Sequence, residues 1–409
     1  MSALVSNESF GHFINADRNV VSIATNLSVV KQVYGDGAAH SAINELKDQL
    51  YAVGVKKEKI VLYDDYFLIS YHPELNGQES GFSTLLRRTI RPFAVHSACG
   101  SFVFDCAVKS DAVAGAMDAD ALTGPIGNVD ALNLDNDIVR FKADMACAAF
   151  LWDCLDKDDV YLTTQPVLGF DNCRKIKGSL YYELLLRVGC ETRYSPYEMV
   201  TALERLGLIF HLDQAVILNA ITFLRNSVDD NVVLGCNVSV RSFEQVDWWE
   251  RLILFLQLVP STAEKLLLEV TESWRAHSGS PVLDILARLR SVGVKIALDD
   301  VGAGLTTIEF IVNAKADIIK IDKVMLMHSR NIYNSPDLLR NFVRMCKDYA
   351  KVVVVEGVES FNDLKAIQYA LADGAQGFYF NDNDNEWKNV QSRFPVFNVS
   401  WHEHVILLS

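Results

Sequence analysis

The stretch VKIALDDVGAGLTTIEFIVNAKADIIKID, residues 294–322, decides the fold of the second half of the chain. An apolar run, Val294–Leu298, ends in Asp299-Asp300 and a glycine-bearing turn through Gly302 and Gly304. A helical stretch follows, and then a second short apolar run, Ile318–Ile321, is interrupted only by Lys320. Short apolar runs separated by helical patterns indicate parallel strands covered on both faces. Outward from this stretch the same unit recurs: Tyr181–Leu186 around Glu183, Val233–Val238 around Asn237, Leu266–Val270 around Glu269, Val352–Val355 before Glu356, and Ala375–Phe380 around Gln376. With Val160–Pro166 as the first strand the count reaches eight, enough to close a (β/α)8 barrel of the TIM type.

Each of these strands carries a polar residue at or near its end. Carboxylates buried there are costly unless cations or hydrogen-bond partners compensate. In a barrel of parallel strands the strand ends converge on one radial site. Glu183, Asn237, Glu269, Asp299 and Asp300 are hard oxygen donors of the kind Mg²⁺ or Mn²⁺ prefers. Two divalent ions roughly 3.5–4 Å apart, sharing a carboxylate, activate water for phosphoester hydrolysis. Asp299 and Asp300 cannot both point inward from a regular strand, so the turn with Gly302 and Gly304 is expected to bring them together. A capped turn before a helix is the bland alternative for that pair, and a strand-end hydrogen bond is the bland alternative for Asn237. Lys320, flanked by isoleucines, suits the orientation of a nucleophilic water or the neutralisation of a phosphate oxygen. Glu356 ends its strand as a candidate base or second-metal ligand, and Glu359 stands where the next helix begins.

Composition narrows the classes. The 409 residues suffice for two domains, and half are hydrophobic. A net charge of −14, from 38 Lys and Arg against 52 Asp and Glu, disfavours direct DNA binding but permits a small anionic ligand in a local pocket. The start, MSALVSNESFGHFINADRN, lacks a basic region followed by an apolar core and does not read as a signal peptide. The best apolar stretch, Leu252–Pro260, is too short for a membrane span. Eight singly placed cysteines without CxxC spacing read as reduced core residues, and the expected location is cytoplasmic. Neither a His pair nor a Cys cluster offers zinc ligation, and His211, His277, His328, His402 and His404 are expected to be surface or structural.

The chain is expected to divide into a leader over 1–19, an α+β domain over 20–155, the barrel over 156–385 and a tail over 386–409. In the first domain Val20–Ala24 and Phe93–Val108 read as strand, Ile60–Ser70 as a hairpin about Asp64 and Asp65, and Ser41–Val53 and Lys142–Leu155 as helices. Residues 111–137 read as loops.

In order, the barrel motifs resemble the EAL-domain cyclic di-GMP phosphodiesterases. Glu183-Leu184-Leu185 stands at that family's Glu-Ala-Leu, and the ExLxR signature runs intact to Arg187. Gln165-Pro166, Asn237-Val-Ser-Val-Arg-Ser-Phe, Glu269-Val-Thr-Glu272, Asp299-Asp300, Lys320-Ile-Asp322, Glu356-Gly-Val-Glu359 and Gln376-Gly377 follow in family order. The resemblance covers roughly Val160 to Phe380. It implies hydrolysis of cyclic di-GMP to linear pGpG with two Mg²⁺ or Mn²⁺ ions in a bacterial signalling setting of biofilm and motility control, and a homodimer. By the same resemblance Glu183, Asn237, Glu269 and Asp299 hold one ion, and Asp300, sharing Asp299, holds the other. Glu356 and Lys320 position or deprotonate the attacking water, and Gln165, Leu185, Arg187 and Gln376 contact the ligand or its surroundings. Glu272 and Glu359 brace loops. The chain departs from the family pattern at Val301, Leu305 and Thr306-Thr307, and after Phe380, where Asn381-Asp382 replaces a Pro-containing segment. The alternative reading is a weak or inactive cyclic di-GMP receptor acting through protein contacts.

The first domain resembles a degenerate GGDEF, or diguanylate cyclase-like, domain. Tyr34-Gly35 and Ala143-Asp144-Met145-Ala146 match two of its segments, while Tyr63-Asp64-Asp65-Tyr66-Phe67 stands at the signature with both glycines gone. Side chains there intrude on a phosphate's approach, and Ile23 and Thr25 fall where metal-binding aspartates belong. The resemblance implies no cyclase activity and leaves GTP or another nucleotide as a possible ligand, with dimerisation and docking on the barrel as other roles.

Overall fold

The computed structural model describes residues 19–63, 65–71, 81–113, 134–189, 194–227, 229, 231–270, 281–304, 307–330, 337–381 and 397–399. The leader, Asp64, most of 111–137, Glu272, His277, Leu305, Thr306, and most of the tail with His402 and His404 lie outside the described residues. Two compact units make up the chain: 1–157 with 192–208, and 158–191 with 209–408. Among the described residues no helix is long and apolar enough to cross a membrane.

In the first unit β1 (Asn19–Thr25), β2 (Ile60–Tyr63), β3 (Tyr66–Tyr71) and β6 (Cys106–Val113) form a sheet of order β2-β3-β1-β6, antiparallel throughout. Val20 through Ala24 are all buried, as expected of a central strand covered on both faces. The expected single strand over Phe93–Val108 is three pieces. β4 (Phe93–Ser97) and β5 (Gly100–Phe104) form a separate hairpin, and the chain breaks again at Asp105, whose N–H donates to Asn26 Oδ1 at 3.1 Å. Gly100, at φ +127°, supplies a backbone geometry that a side chain resists. The helix predicted over Ser41–Val53 spans Asp36–Ala52, and that over Lys142–Leu155 spans Leu134–Asp156, so the 111–137 segment is helical at its end.

Two helices of this unit, Leu27–Tyr34 and Gly81–Thr89, escaped the sequence reading. The first buries Leu27, Val30, Val33 and Tyr34, a helical spacing contained in only two turns. The Asp65 carboxylate accepts from the Ser28 N–H at 2.6 Å and from the Ser28 hydroxyl, so an anion already satisfies donors at this helix start.

The second unit is an eight-stranded closed barrel with a short ninth strand at its edge. Strands β7 (Val160–Phe170), β8 (Ile176–Val188), β9 (Leu234–Val238), β10 (Leu266–Val270), β11 (Lys295–Val301), β12 (Ile318–Ile321), β13 (Val352–Val355) and β14 (Gly374–Ala375) pair in sequence order, and β14 closes on β7. One expectation needs correction: β7 is antiparallel to both its ring neighbours, while β8 to β14 run parallel. Only residues 171–175 separate β7 from β8, too few for a crossover helix, which takes a dozen or more residues. They close a hairpin in which the Lys175 N–H donates to Asp171 Oδ1 at 2.8 Å.

The last strand is also shorter than the Ala375–Phe380 reading. A Cβ at Gly377 would lie 2.3 Å from both the N and O of Val358, so the chain presses against that backbone and turns into a 3-10 segment, Phe378–Asn381. From the tail, β15 (Phe397–Asn398) adds antiparallel to β7.

Side chains of period two stack in layers inside a barrel. Tyr181, Leu267, Ala297, Ile318 and Val354 form a buried cluster with Val167. Each of those five stands two residues before Glu183, Glu269, Asp299, Lys320 and Glu356 respectively. A dry apolar layer therefore lies beneath a polar one, and burial of each large aliphatic residue is worth roughly 1.5–3 kcal/mol.

Candidate active site

The polar layer gathers on Lys320, which is 1% exposed. Its ammonium lies 2.6 Å from Glu356 Oε1, 3.0 Å from Asp299 Oδ1 and 3.5 Å from Glu183 Oε2, and it pairs with Glu269 Oε2 as well. Parallel register sets this convergence: Asn237 stands beside Glu269, and Glu269 beside Ala297. The Asn237 amide donates to Glu183 Oε1 at 2.7 Å, which leaves its carbonyl oxygen available as a ligand. Gln376 donates to Glu183 Oε2 at 2.5 Å and to Gln165 Oε1 at 2.9 Å, so strands at the barrel's closure orient the same carboxylate.

Asp299 and Asp300 both face the site, but not by the means expected. The strand continues through Val301, and its register against β12 shifts between Leu298 and Val301. Asp300 takes the left-handed conformation at φ +55°, which aspartate tolerates better than most residues. This bulge, with Asp300 two residues before Gly302, turns consecutive side chains toward one place.

Electrostatics follow from the crowding. Burial works against the Lys320 ammonium, yet Asp299, Glu183, Glu269 and Glu356 together hold its pKa well above the ordinary lysine range. Burial pushes Glu183 up, but the Lys320 charge and the amides of Asn237 and Gln376 outweigh it and leave that carboxyl below its usual value. Glu269 and Glu356 are driven well above the carboxylate range, first by burial and then by neighbouring carboxylates, and Asp299 is raised mainly by burial.

These residues fit divalent cations. Carboxylate oxygens of Glu183, Glu269 and Asp299 lie within 4.8 Å of one another, and so do those of Asp299, Asp300 and Glu356, with Asp299 common to both groups. Five carboxylates against one ammonium leave a formal charge of −4, which two divalent ions would cancel. Glu269 Oε1 is buried without a hydrogen-bond partner, the condition of an oxygen awaiting a cation. Every donor is hard oxygen, as Mg²⁺ and Mn²⁺ require.

The remaining expected residues stand further along their elements. The Leu185 carbonyl accepts from Thr163 Oγ1 at 3.4 Å, and Arg187 donates to the Leu186 carbonyl at 2.7 Å, both on the β7–β8 pair. Glu359 is exposed and precedes the Ser360 N-cap of the Phe361–Ala370 helix. Asp363 organises that loop: it accepts from the N–H groups of Glu359 and Ser360 and pairs with Arg330 at 2.7 Å.

Sequence reasoning missed Asp363, and it missed Asp213, which is buried and accepts from Ser239 N–H at 2.9 Å and Ser242 Oγ at 2.6 Å, bracing the loop after Asn237. Burial of an aspartate within the helix LDQAVILNA was the available signal. Gly235 was also missed: a Cβ there would lie 2.4 Å from Glu269 Oε1 and 2.8 Å from Tyr181 Cε2.

Comparison with known proteins agrees with this geometry. Residues 151–382, more than half of the chain, match the family model described as EAL domain. The cyclic di-GMP phosphodiesterase PdeF of Escherichia coli is 27% identical over 231 residues, 55% of this chain and 30% of that protein. The biofilm architecture maintenance protein MbaA of Vibrio cholerae is 29% identical over 208 residues, 49% of this chain and 25% of that protein. The match thus spans less than a third of either relative's length. Among solved structures, the FimX EAL domain has a TM-score of 0.50 at 22% identity, covering 58% of this chain and 95% of that one. Apo Vibrio cholerae LapD, S helix-GGDEF-EAL, has a TM-score of 0.51 at 14% identity, covering 93% and 95%. Both likenesses concern fold alone. With the family model spanning the barrel and its polar layer, the chain belongs to the EAL domain family.

Proposed function

We propose that the barrel is a metal-dependent phosphodiesterase that hydrolyses cyclic di-GMP to pGpG. The observation that carries this reading is the pair of oxygen-ligand groups hinged on Asp299 beside a buried ammonium. Mg²⁺ or Mn²⁺, held by Glu183, Asn237, Glu269 and Asp299 on one side and by Asp299 and Asp300 on the other, would supply Lewis acidity and an acidified water. Asn237 and Gln376 fix the Glu183 carboxylate. Glu356, raised by burial, is suited to take the proton of the attacking water, and Lys320 to hold that water and offset charge on the phosphoryl oxygens. Attack at phosphorus breaks one P–O3′ bond, and the released 3′ oxygen takes up a proton to give the linear dinucleotide. The curated relatives named as cyclic di-GMP phosphodiesterases support the substrate.

The first unit reads as a degenerate GGDEF-like domain without cyclase activity. Ile23 is fully buried, the Thr25 hydroxyl donates to the Asp65 carbonyl at 2.8 Å, and Asp65 occupies the start of the neighbouring helix, all of which support this reading.

Incubation of the purified chain with cyclic di-GMP and Mn²⁺ should yield pGpG. Ca²⁺, with its larger and looser coordination, should not support the reaction. Ligand binding without product would replace this reading with that of a receptor.

A further inference from the structure

The barrel closes low on β7. Its last strand, β14, pairs there at Gly374↔Gly169 and Ala375↔Leu168, and the press of Gly377 on the Val358 backbone then turns the chain aside. Because β7 runs antiparallel to the ring, its first residues stand at the mouth. β8 reaches the mouth with it: Thr163 pairs with Leu185, Tyr161 with Arg187 and Val160 with Val188. Arg187 lies four residues past Glu183, roughly 13 Å at the rise of a strand. In contrast, β9, β10 and β12 each end one residue past Asn237, Glu269 and Lys320. The β7–β8 ribbon therefore overhangs the carboxylate layer, and a two-stranded ribbon is marginal alone.

The tail supplies a third strand. β15 pairs with this upper part of β7 at Phe397↔Leu162 and Asn398↔Tyr161, and the Val399 N–H donates to the Val160 carbonyl at 2.8 Å. β8 occupies one edge of β7 along its whole length, so β14 and β15 share the other edge, one low and one high. Counting in twos from Val160 and Leu162, Thr164 and Pro166 face that edge in the gap between them. Pro166 has no N–H to leave unpaired there. At the same height Gln376 donates to Gln165 at 2.9 Å and spans the gap by side chains. Val160, Leu162 and Val399 are buried, so the added strand is packed as well as bonded. The family match ends at residue 382, and β15 comes from beyond it.

We propose that β15 is the upper half of the barrel's last wall and a positioning element for the substrate cleft. It holds the overhanging ribbon at a fixed height, and with it Leu185 and Arg187, which continue the row of Glu183 by period two. Without it, the backbone groups of Val160 and Leu162 would be an open edge beside the site. β15 pairs above the level of Gln165 and Glu183, so its influence falls on ligand binding rather than on the carboxylates. The inference rests on the reading of the barrel as a cyclic di-GMP phosphodiesterase.

Two variants of the full chain detach β15 by different means. Val399→Pro removes the N–H that bonds Val160, and Val399→Asp places a charge at a buried position. By antiparallel alternation the Leu162 N–H faces β15, and its hydrogen exchange should quicken at least about 10-fold in both variants. KM for cyclic di-GMP should rise about 5- to 10-fold, the scale of one or two ligand hydrogen bonds, with kcat within about threefold and Mn²⁺ affinity within about twofold of the parent. Unchanged exchange or unchanged KM overturns the proposal, and so does a fall in kcat or Mn²⁺ affinity as large as the rise in KM. Failure of both variants to fold would assign β15 to the fold rather than the mouth and overturns it too. Should the parent chain turn over no cyclic di-GMP, the phosphodiesterase reading fails by itself, and exchange at Leu162 still decides whether β15 holds the ribbon.

Discussion

Two adjacent layers of one barrel differ in almost nothing but two residues of strand. The lower layer, Tyr181, Leu267, Ala297, Ile318 and Val354, is dry and apolar apart from one hydroxyl. The upper layer, Glu183, Glu269, Asp299, Lys320 and Glu356, concentrates five charged groups. The same strands, pairings and inward direction serve both. The lower layer gains by excluding water and the upper layer survives by mutual compensation, so each of these five strands carries its charge at or just past one inward position. Dry packing below also strengthens the electrostatics above, because charges interact more strongly where water is excluded.

The sharpest way to break the contrast is to remove its one cation. Lys320→Met makes the upper layer apolar at its centre but leaves the buried carboxylates without their ammonium. Breaking a buried ion pair from one side costs roughly 3–5 kcal/mol. Chemical denaturation of the metal-free variant should show a loss of that size, and added Mn²⁺ should restore part of it. A loss below about 1 kcal/mol would mean that the carboxylates are compensated otherwise.

Next in size, Asp300→Asn keeps the bulge, since asparagine also tolerates the left-handed region, and removes one negative charge from the site. Turnover of cyclic di-GMP should fall about 100-fold, which is roughly 2.7 kcal/mol at 1.36 kcal/mol per decade, with ligand affinity within about threefold of the parent. Equal losses in both would remove Asp300 from the role of second-cation ligand.

The smallest effect lies outside the layers. Asp363→Asn weakens the capping box of the Phe361–Ala370 helix and its pairing with Arg330, at a cost of about 1 kcal/mol. Although burial pushes the other way, hydrogen bonds from Ser360 and Glu359 and the Arg330 charge hold the Asp363 carboxyl below its ordinary value. A lowered folded-state pKa contributes stability above the unfolded value of 3.8 and loses it as pH falls through the folded one. Midpoints of parent and variant should therefore converge in acid and separate toward neutral pH. A constant difference across that range would contradict the pairing.

Much of the upper layer was legible in sequence because a polar residue inside a short apolar run is costly to bury unless it serves a site. Strands Leu266–Val270, Ile318–Ile321 and Val352–Val355 carry the bounds read from their β-rich runs. The direction of β7 was not legible from its own residues, and only the five-residue link to β8 betrays it. The bulge at Asp300 was hidden because a left-handed aspartate leaves no compositional mark, whereas Gly302 and Gly304 advertise a turn. Gly235 leaves no compositional mark either, because its need for a small residue comes from Tyr181 on one neighbouring strand and Glu269 on the other. Asp213 and Asp363 sit on helices more than twenty and about three residues in sequence from the loop groups they hold, Ser239 and Ser360, and no strand pattern ties them to the site. In the first unit the division of Phe93–Val108 depends on Asn26, some eighty residues upstream, which bonds to Asp105 and Val103.

The central claim is that the upper layer is a two-cation site hinged on Asp299. Anomalous diffraction from crystals soaked in Mn²⁺ tests it most directly. The account predicts two peaks, one among Glu183, Asn237, Glu269 and Asp299 and the other beside Asp299 and Asp300. A single peak elsewhere, or an upper layer still closed on Lys320 with no manganese at saturating concentration, would contradict it.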